Sequence, residues 1–173
     1  MDLLDWLLGH DAWTTRQLLL RAAPLADEQL DRPFDIDERS LRDCFVHIIE
    51  NMEDWGDLLR GADPRAPAPE RTGETIADLL RRHAAASRAF AGVARTVARE
   101  ARYGELWTDT LDNPPTLKSY GGTIAHLITH SMHHRAQAMY MLEQLGCRDH
   151  VEGDVLSWEA QAFGWADPPP GAA

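Results

Sequence analysis

The segment HLITHSMHHRAQ holds four of the eight histidines of this chain within nine residues: His126, His130, His133 and His134. On a helix, His130 and His134 stand four residues apart and therefore one turn above each other, so both imidazoles can point at one ion. This is the spacing of a pair of metal ligands. Metal sites in proteins commonly have three or four protein ligands, and a catalytic site keeps one position open. A third ligand is therefore expected elsewhere in the chain.

The third candidate is His47. On a helical wheel, His130 and His134 lie on the flank of the apolar stripe of the last long predicted helix. The second predicted helix repeats this arrangement, with His47 on the flank of its own stripe. If the two helices are neighbours, the three histidines can converge as nitrogen ligands between two rigid elements. The alternative for a lone histidine such as His47 is a hydrogen-bonded core residue.

Five polar residues near this group have no single interpretation. His126 and His133 lie further round the helix, which places them behind the ligands or at the surface. His10, on the first predicted helix, could reach the mouth of the site. Arg135 falls on the apolar stripe, where it could reach the bundle end, pair with a buried carboxylate or bind an anionic substrate group. Gln137 lies on the histidine side and could contact a ligand.

Three neutral imidazoles leave the charge of a divalent ion uncompensated and leave coordination positions open, as in catalytic sites. Nitrogen ligands suit Zn or Ni, and also Fe or Cu, so the sequence does not identify the metal. Side chains that orient His47 through its other ring nitrogen are expected within a turn of it, at Asp43, Glu50 or Asn51. No catalytic residue is assigned from the sequence.

Helical periodicity dominates the rest of the chain and supplies the elements that must hold these residues. Helices are predicted over residues 2–22, from Ser40 to about Arg60, from Thr72 or Thr75 to about Arg102, from a Thr123 cap through 124–145, and over 154–164. No segment has a convincing strand pattern, and residues 103–122 are expected to form a long irregular connection. The predicted fold is all-α, a four-helix bundle with long crossover connections.

Size and charge restrict the possible functions. At 173 residues with 44% apolar content, the chain suits a single domain, predicted over residues 1–165, followed by a flexible proline-rich tail over 166–173. The net charge of -11 disfavours nucleic acid and anionic membrane surfaces as partners. Two cysteines do not make a disulfide framework, and the N-terminal segment lacks the basic start of a signal peptide. We therefore expect a cytoplasmic protein.

The strings YGGTIAHLITHSMHHRAQ and SLRDCFVHIIENMEDWGDLLRG resemble the DinB/YfiT-like metalloenzymes, small four-helix proteins that also occur as modules of bacterial thiol-dependent enzymes. The resemblance covers residues 2 to about 146. In that family a histidine of the second helix and a late His-x-x-x-His pair hold a divalent metal. The resemblance places these roles on His47, His130 and His134, and it implies a homodimer.

Three functions remain open. The resemblance implies a small-thiol S-transferase or thiol-dependent isomerase, in which the metal presents a low-molecular-weight thiol to a small electrophilic substrate. A metal-dependent hydrolase would need a general base, for which Glu50 and Asp54 are the nearest carboxylates. A non-enzymatic, metal-binding dimeric interaction protein is the third possibility. Residues 103–122 distinguish the classes, because in an enzyme they should wall a pocket over the metal, whereas in an interaction protein they should form a dimer contact.

Overall fold

The structure is a computed structural model that describes residues 2–36, 38–62 and 73–163. Its elements in chain order are α1 (Leu3–Ala22), α2 (Asp27–Leu30), α3 (Leu41–Leu59), α4 (Ile76–Arg99), β1 (Leu106–Asp109), β2 (Thr116–Ser119), α5 (Tyr120–Gln144) and α6 (Val155–Phe163). The predicted all-α bundle is confirmed, with α1, α3, α4 and α5 as its four long helices. The flexible tail predicted over 166–173 lies outside the described residues. None of the described helices combines the length and apolar character that crossing a membrane requires.

Side-chain caps set where the long helices begin. The N–H of Asp43 donates to Ser40 Oγ, and the N–H of Ser40 donates back to the Asp43 carboxylate, each at 3.1 Å. This reciprocal arrangement satisfies two backbone donors that a helix leaves unpaired at its first turn. The same arrangement opens α1 at Asp2 and Asp5, and α4 at Thr75 and Asp78.

Residues 103–122 are not irregular, as the sequence predicted, but contain an antiparallel hairpin. β1 pairs with β2 so that Leu106 lies opposite Ser119 and Asp109 lies opposite Thr116. Each strand has only four residues, which is too short for alternation of apolar and polar residues to stand out between turn residues.

The start of α5 also differs from the prediction. The helix begins at Tyr120, because Ser119 is its cap and accepts a hydrogen bond from the N–H of Gly122 at 3.1 Å. Thr123, the predicted cap, instead lies inside the first turn. Its hydroxyl donates to the Ser119 carbonyl at 3.0 Å.

The four long helices pack as a ring in which each has two main neighbours. α3 contacts α4 and α5, α1 contacts the same two helices, and α6 packs on α1. α3 and α5 are therefore adjacent, which is the condition under which the histidines predicted on them can meet.

The core is divided into two hydrophobic clusters by a polar layer. In α5, Leu127 and Ile128 belong to one cluster, whereas Ala138 and Met141 belong to the other. Between these levels, three helices place buried polar side chains: Asp11, Thr14 and Thr15 of α1, His83 of α4, and Ser131, His134 and Arg135 of α5. The polar layer therefore crosses the middle of the bundle at the level of His134.

Arg135, whose place on the apolar stripe was unexplained in the sequence, has a charged partner within this layer. The residue is only 1% exposed, and its Nη1 donates to the carboxylate of Asp11. Burial raises the pKa of the Asp11 carboxyl, while the charge of Arg135 opposes that rise. Of the three possibilities open for Arg135 in the sequence, pairing with a buried carboxylate is correct.

Candidate metal centre

α3 and α5 run antiparallel through the level of the histidines. Near the start of α3, Cys44 Sγ donates to the carbonyl of His134 at 3.2 Å. Three turns later in α3, the Trp55 ring stacks on His126, with 5.0 Å between centroids. His47 lies between these two contacts, so the antiparallel pairing brings it level with His130 and His134.

The side chains of His47, His130 and His134 converge on one point. Each offers one ligand atom, and these atoms all lie within 4.8 Å of one another. The Nε2 atoms of His130 and His134 are 3.2 Å apart. With Zn–N bonds of about 2.0–2.1 Å, two nitrogens on one tetrahedral ion stand about 3.3 Å apart. The separation of this pair therefore fits two ligands of one ion.

Gln137 orients the ring of His134. Its side-chain oxygen accepts from His134 Nδ1 at 2.6 Å, which makes Nε2 of that ring the unprotonated nitrogen. The amide nitrogen of Gln137 contacts Nε2 of the exposed His133 at 3.2 Å. The expectation that Gln137 contacts a candidate ligand is thus confirmed, and His133 lies behind it.

Asn51 contacts His47 through its amide nitrogen, a donor, and not through an acceptor as Gln137 contacts His134. Its side-chain amide donates to the backbone carbonyl of His47 at 2.9 Å and contacts the ring Nε2 at 3.1 Å. Asp43, another candidate for this contact, is instead engaged in capping α3 through Ser40. Because Asn51 is one turn away on the same helix, the orientation of the ring is set within α3.

Two of the candidate ligands, His47 and His130, are neutral at pH 7. Burial lowers the pKa of His47 to about 4, and the charges of Arg39 and of the other two imidazoles act in the same direction. Burial likewise lowers the pKa of His130 to about 4. Neutral imidazole is the form that binds a metal ion, so both rings are in the ligand form at neutral pH.

His130 also has an unsatisfied ring atom. Its Nδ1 is buried and has no hydrogen-bond partner among the residues that the structure describes. Leaving a buried polar atom unpaired costs free energy. The unpaired atom is the ring nitrogen other than the Nε2 that faces His134. The three imidazoles and their separation fit a divalent cation held by nitrogen ligands.

A cavity of about 430 Å³ opens beside the histidines, between α3, α5 and the hairpin. Its lining consists of Trp55, Lys118, Ser119, Gly122, Thr123 and His126. Lys118 Nζ lies 4.6 Å from the centre of the Trp55 ring, and the centroid of His126 is 5.1 Å from that of His130. The end of the hairpin therefore walls a pocket next to the histidine cluster, formed by His47, His130 and His134.

One residue lies elsewhere than the sequence predicted, and two residues near the site were not predicted. His10 does not join the cluster, because its ring Nε2 is 2.9 Å from the Gly153 carbonyl and the ring packs against Trp158 of α6. Trp55 and Lys118, which line the cavity, were not among the candidate residues. No signal in the sequence could have found Lys118, since its position depends on the unpredicted hairpin.

Comparison with known proteins identifies the family of this chain. The sequence profile of the DinB superfamily matches residues 6–138, a span that contains His47, His130 and His134. No curated protein matches the chain. Since the matched span covers most of the chain and the bundle expected of the family is present, the protein belongs to the DinB superfamily.

Proposed function

We propose that this protein is a metal-dependent enzyme of the small-thiol S-transferase or thiol-dependent isomerase type. His47, His130 and His134 would hold one divalent ion, Zn or Ni, with Fe or Cu as alternatives. The observation that carries the proposal is the convergence of the three ligand atoms within 4.8 Å beside a cavity that the hairpin walls. The substrates are a low-molecular-weight thiol and a small electrophile.

The residues of the site would have different roles in such a reaction. A divalent ion supplies Lewis acidity, which favours the thiolate form of a bound thiol at neutral pH. Gln137 and Asn51 hold two of the rings in position through hydrogen bonds. Trp55, Lys118 and His126 line the cavity in which an electrophile would bind. The hairpin forms one wall of the cavity beside the cluster.

Thiol transfer is preferred to hydrolysis because of the composition of the cluster. Within the described part of the chain, the group that could hold a metal consists of histidines alone. A hydrolase needs a general base within hydrogen-bond reach of the activated water. In the sequence, Glu50 and Asp54 are the candidates for that role. A metal-dependent hydrolase therefore stays the alternative function, and a general base at either position would favour it.

The position of the hairpin supports an enzyme over an interaction protein. The end of β2 and the start of α5 line the cavity with Lys118, Ser119 and Gly122, as expected if residues 103–122 wall an active site. Formation of a homodimer and a cytoplasmic location stay predictions. Light scattering on the purified protein would measure the first, with twice the chain mass of 19.4 kDa expected.

Metal analysis of untagged protein tests the proposal. We expect about one divalent ion per chain in the parent, and loss of that ion in His47→Ala and His134→Ala. His150→Ala is the control, because this histidine contacts Glu143 and lies outside the cluster. Circular dichroism should show that all four proteins are folded. Equal metal content in the parent and both ligand variants would rule out the assigned site.

Thiol chemistry is tested on the nickel-loaded protein. Adding 2-mercaptoethanol should produce a thiolate-to-metal charge-transfer absorption band in the parent and none in His134→Ala. Metal binding without any such band would leave the three-histidine site in place and overturn the thiol assignment.

A further inference from the structure

A groove of about 620 Å³ runs between α1 and α4. In the ring of helices this seam is opposite the one between α3 and α5, which holds the histidine cluster. The volume of the groove lies within the roughly 300–1,000 Å³ of small-molecule sites. None of the described residues that line it belongs to the metal centre. The groove is therefore a second, separate candidate site.

The two helices run antiparallel along the groove. Arg95, near the end of α4, donates to the carboxylate of Asp5, near the start of α1, at 2.7 Å. Because both helices rise about 1.5 Å per residue, a residue that follows Asp5 lies level with one that precedes Arg95 by the same number of places. Arg16 is therefore level with the turn that holds His83, about 16 Å from the Asp5–Arg95 pair. Arg88 lies one turn nearer to that pair.

Small side chains keep the middle of the groove open. The small residues in its lining are Gly9 and Ala12 of α1, and Ala84, Ser87 and Ala91 of α4. Larger apolar surface comes from Leu8 and Trp13. The groove is thus long, and apolar along most of its length, so its shape suits an extended apolar ligand.

The charge of the groove is opposite to that of the whole chain. Arg16, Arg88 and Arg95 line it, and within the described ranges no acidic side chain is among the lining residues, although the chain has 28 acidic residues against 17 basic ones. Arg95 is paired with Asp5. Arg16 and Arg88 have no ion-pair partner among the residues that the structure describes. The unpaired cations therefore lie away from the Asp5 end, where they favour an anionic group.

His83 places a buried polar atom without a partner at the same end. The residue is 2% exposed, and its Nε2 has no hydrogen-bond partner in the described part of the chain. Unpartnered buried atoms also occur at Thr14 and Arg135, but neither of these residues lines the groove. Leaving such an atom unpaired costs free energy. The Nε2–H of a neutral imidazole can donate to an oxygen of a bound anion.

We propose that the groove between α1 and α4 binds a small amphipathic anion, a carboxylate with an extended apolar body. The carboxylate accepts hydrogen bonds from Arg16 and from Nε2 of His83, with Arg88 one turn away. The apolar body extends past Ala91 toward Leu8. A guanidinium binds a carboxylate through two parallel N–H donors. Because this site uses none of the candidate metal ligands, it is independent of the function proposed above.

Calorimetry with octanoate tests the preference for charge. The full-length parent is titrated with octanoate and with 1-octanol, which has the same chain and no charge. We expect one octanoate per chain, bound at least about 10-fold more tightly than 1-octanol, the effect of one charge-assisted hydrogen bond. The double variant Arg16→Gln with Arg88→Gln should remove this preference. Arg99→Gln, which replaces an exposed arginine of α4 outside the groove, is the matched control and should retain it.

Two alanine variants test the location. Ala91→Phe places a ring in the groove and should abolish octanoate binding. Ala85→Phe makes the same change at an exposed position of the same helix and should leave binding as in the parent. His134→Ala, which lacks one candidate metal ligand, should also bind octanoate as the parent does. Circular dichroism of every variant must match that of the parent.

Four results would overturn this proposal. Equal affinity for octanoate and 1-octanol, or a preference that survives the double arginine variant, would show that the groove does not recognise the carboxylate. Loss of octanoate binding in His134→Ala would place the carboxylate on the metal. Light scattering that gives twice the chain mass of 19.4 kDa for the parent and a single chain mass for Ala91→Phe would show that a second copy covers the groove. Absence of saturable octanoate binding to the parent would rule out the site.

Discussion

Two opposing effects act on the imidazoles of the cluster. The net charge of -11 favours protonated histidines throughout the molecule. Burial opposes it at His47 and His130, and their pKa values fall to about 4. Local desolvation and the nearby charge of Arg39 therefore outweigh the field of the whole chain. The acidic surface then attracts cations to a site at which His47 and His130 carry no charge.

The contact between Gln137 and His134 gives a prediction for metal affinity. Gln137→Leu removes the acceptor that holds His134 Nδ1 at 2.6 Å, so the ring is free to turn and to change tautomer. We expect metal affinity to fall about 10- to 100-fold, measured by competition with a chromophoric chelator. Gln137→Glu keeps an acceptor in place and should retain the affinity. Equal affinity in Gln137→Leu and the parent would contradict the orienting role.

His83 of the polar layer gives a prediction for pH dependence. It is 2% exposed, and burial lowers its pKa to about 4, with Arg135 and Arg16 acting in the same direction. In the unfolded chain a histidine protonates near pH 6.5. Below that pH the unfolded state binds more protons than the native state, so the native state loses stability as the pH falls toward 4.

His83→Gln should remove this loss. Between pH 7 and pH 5 the parent should lose about 2 kcal/mol more unfolding free energy than the variant, measured by urea denaturation at both pH values. His133→Gln, at an exposed position on α5, controls for a general effect of replacing a histidine. Parallel pH dependence in the parent and His83→Gln would show that His83 does not titrate as its burial implies.

At the scale of elements, the helices could be predicted and the hairpin could not. The bounds of α1 and α3 follow from local signals, such as the cap formed by Ser40 and Asp43. Thr123 shows where local signals mislead, because it resembles a cap but accepts a hydrogen bond from Trp107 Nε1 of β1 at 3.1 Å. That contact is tertiary and joins β1 to α5.

The same distinction separates the parts of the site. His130 and His134 are one turn apart on a single helix, so sequence spacing suffices to bring them together, and His47 needs only the pairing of α3 with α5. Lys118 depends on the register of the hairpin. The candidate ligands were thus predictable, whereas the groups beside them were not.

The buried ion pair of Asp11 and Arg135 ties α1 to α5. Asp11→Leu would leave the Arg135 guanidinium charged and unpaired at 1% exposure, and we expect it to lower the unfolding free energy by about 3–5 kcal/mol. The double variant Asp11→Leu with Arg135→Met removes both charges and should recover most of that loss. Chemical denaturation of the two variants and the parent measures both effects. A double variant as unstable as Asp11→Leu would show that the loss of unfolding free energy comes from altered packing and not from the unpaired charge.

At the scale of the whole molecule, the fold and the candidate metal site are separable. The two hydrophobic clusters lie on either side of the polar layer, and neither contains His47, His130 or His134. Burial of apolar surface in those clusters drives the folding of the bundle. A metal ion would add a link between α3 and α5 to a structure that already holds together.

Removal of the metal should therefore lower the melting temperature and leave the fold intact. At a metal concentration about 1,000 times the Kd, binding adds about 4 kcal/mol to the unfolding free energy, and a chain of this size shifts by about 2–4 °C per kcal/mol. We expect a chelator to lower the Tm by about 10 °C, with an unchanged far-ultraviolet circular dichroism spectrum below the transition. His134→Ala should melt at the same temperature with and without chelator. Unfolding of the parent by chelator alone would show that the bundle depends on the metal, whereas an unchanged Tm would show that no metal links α3 to α5.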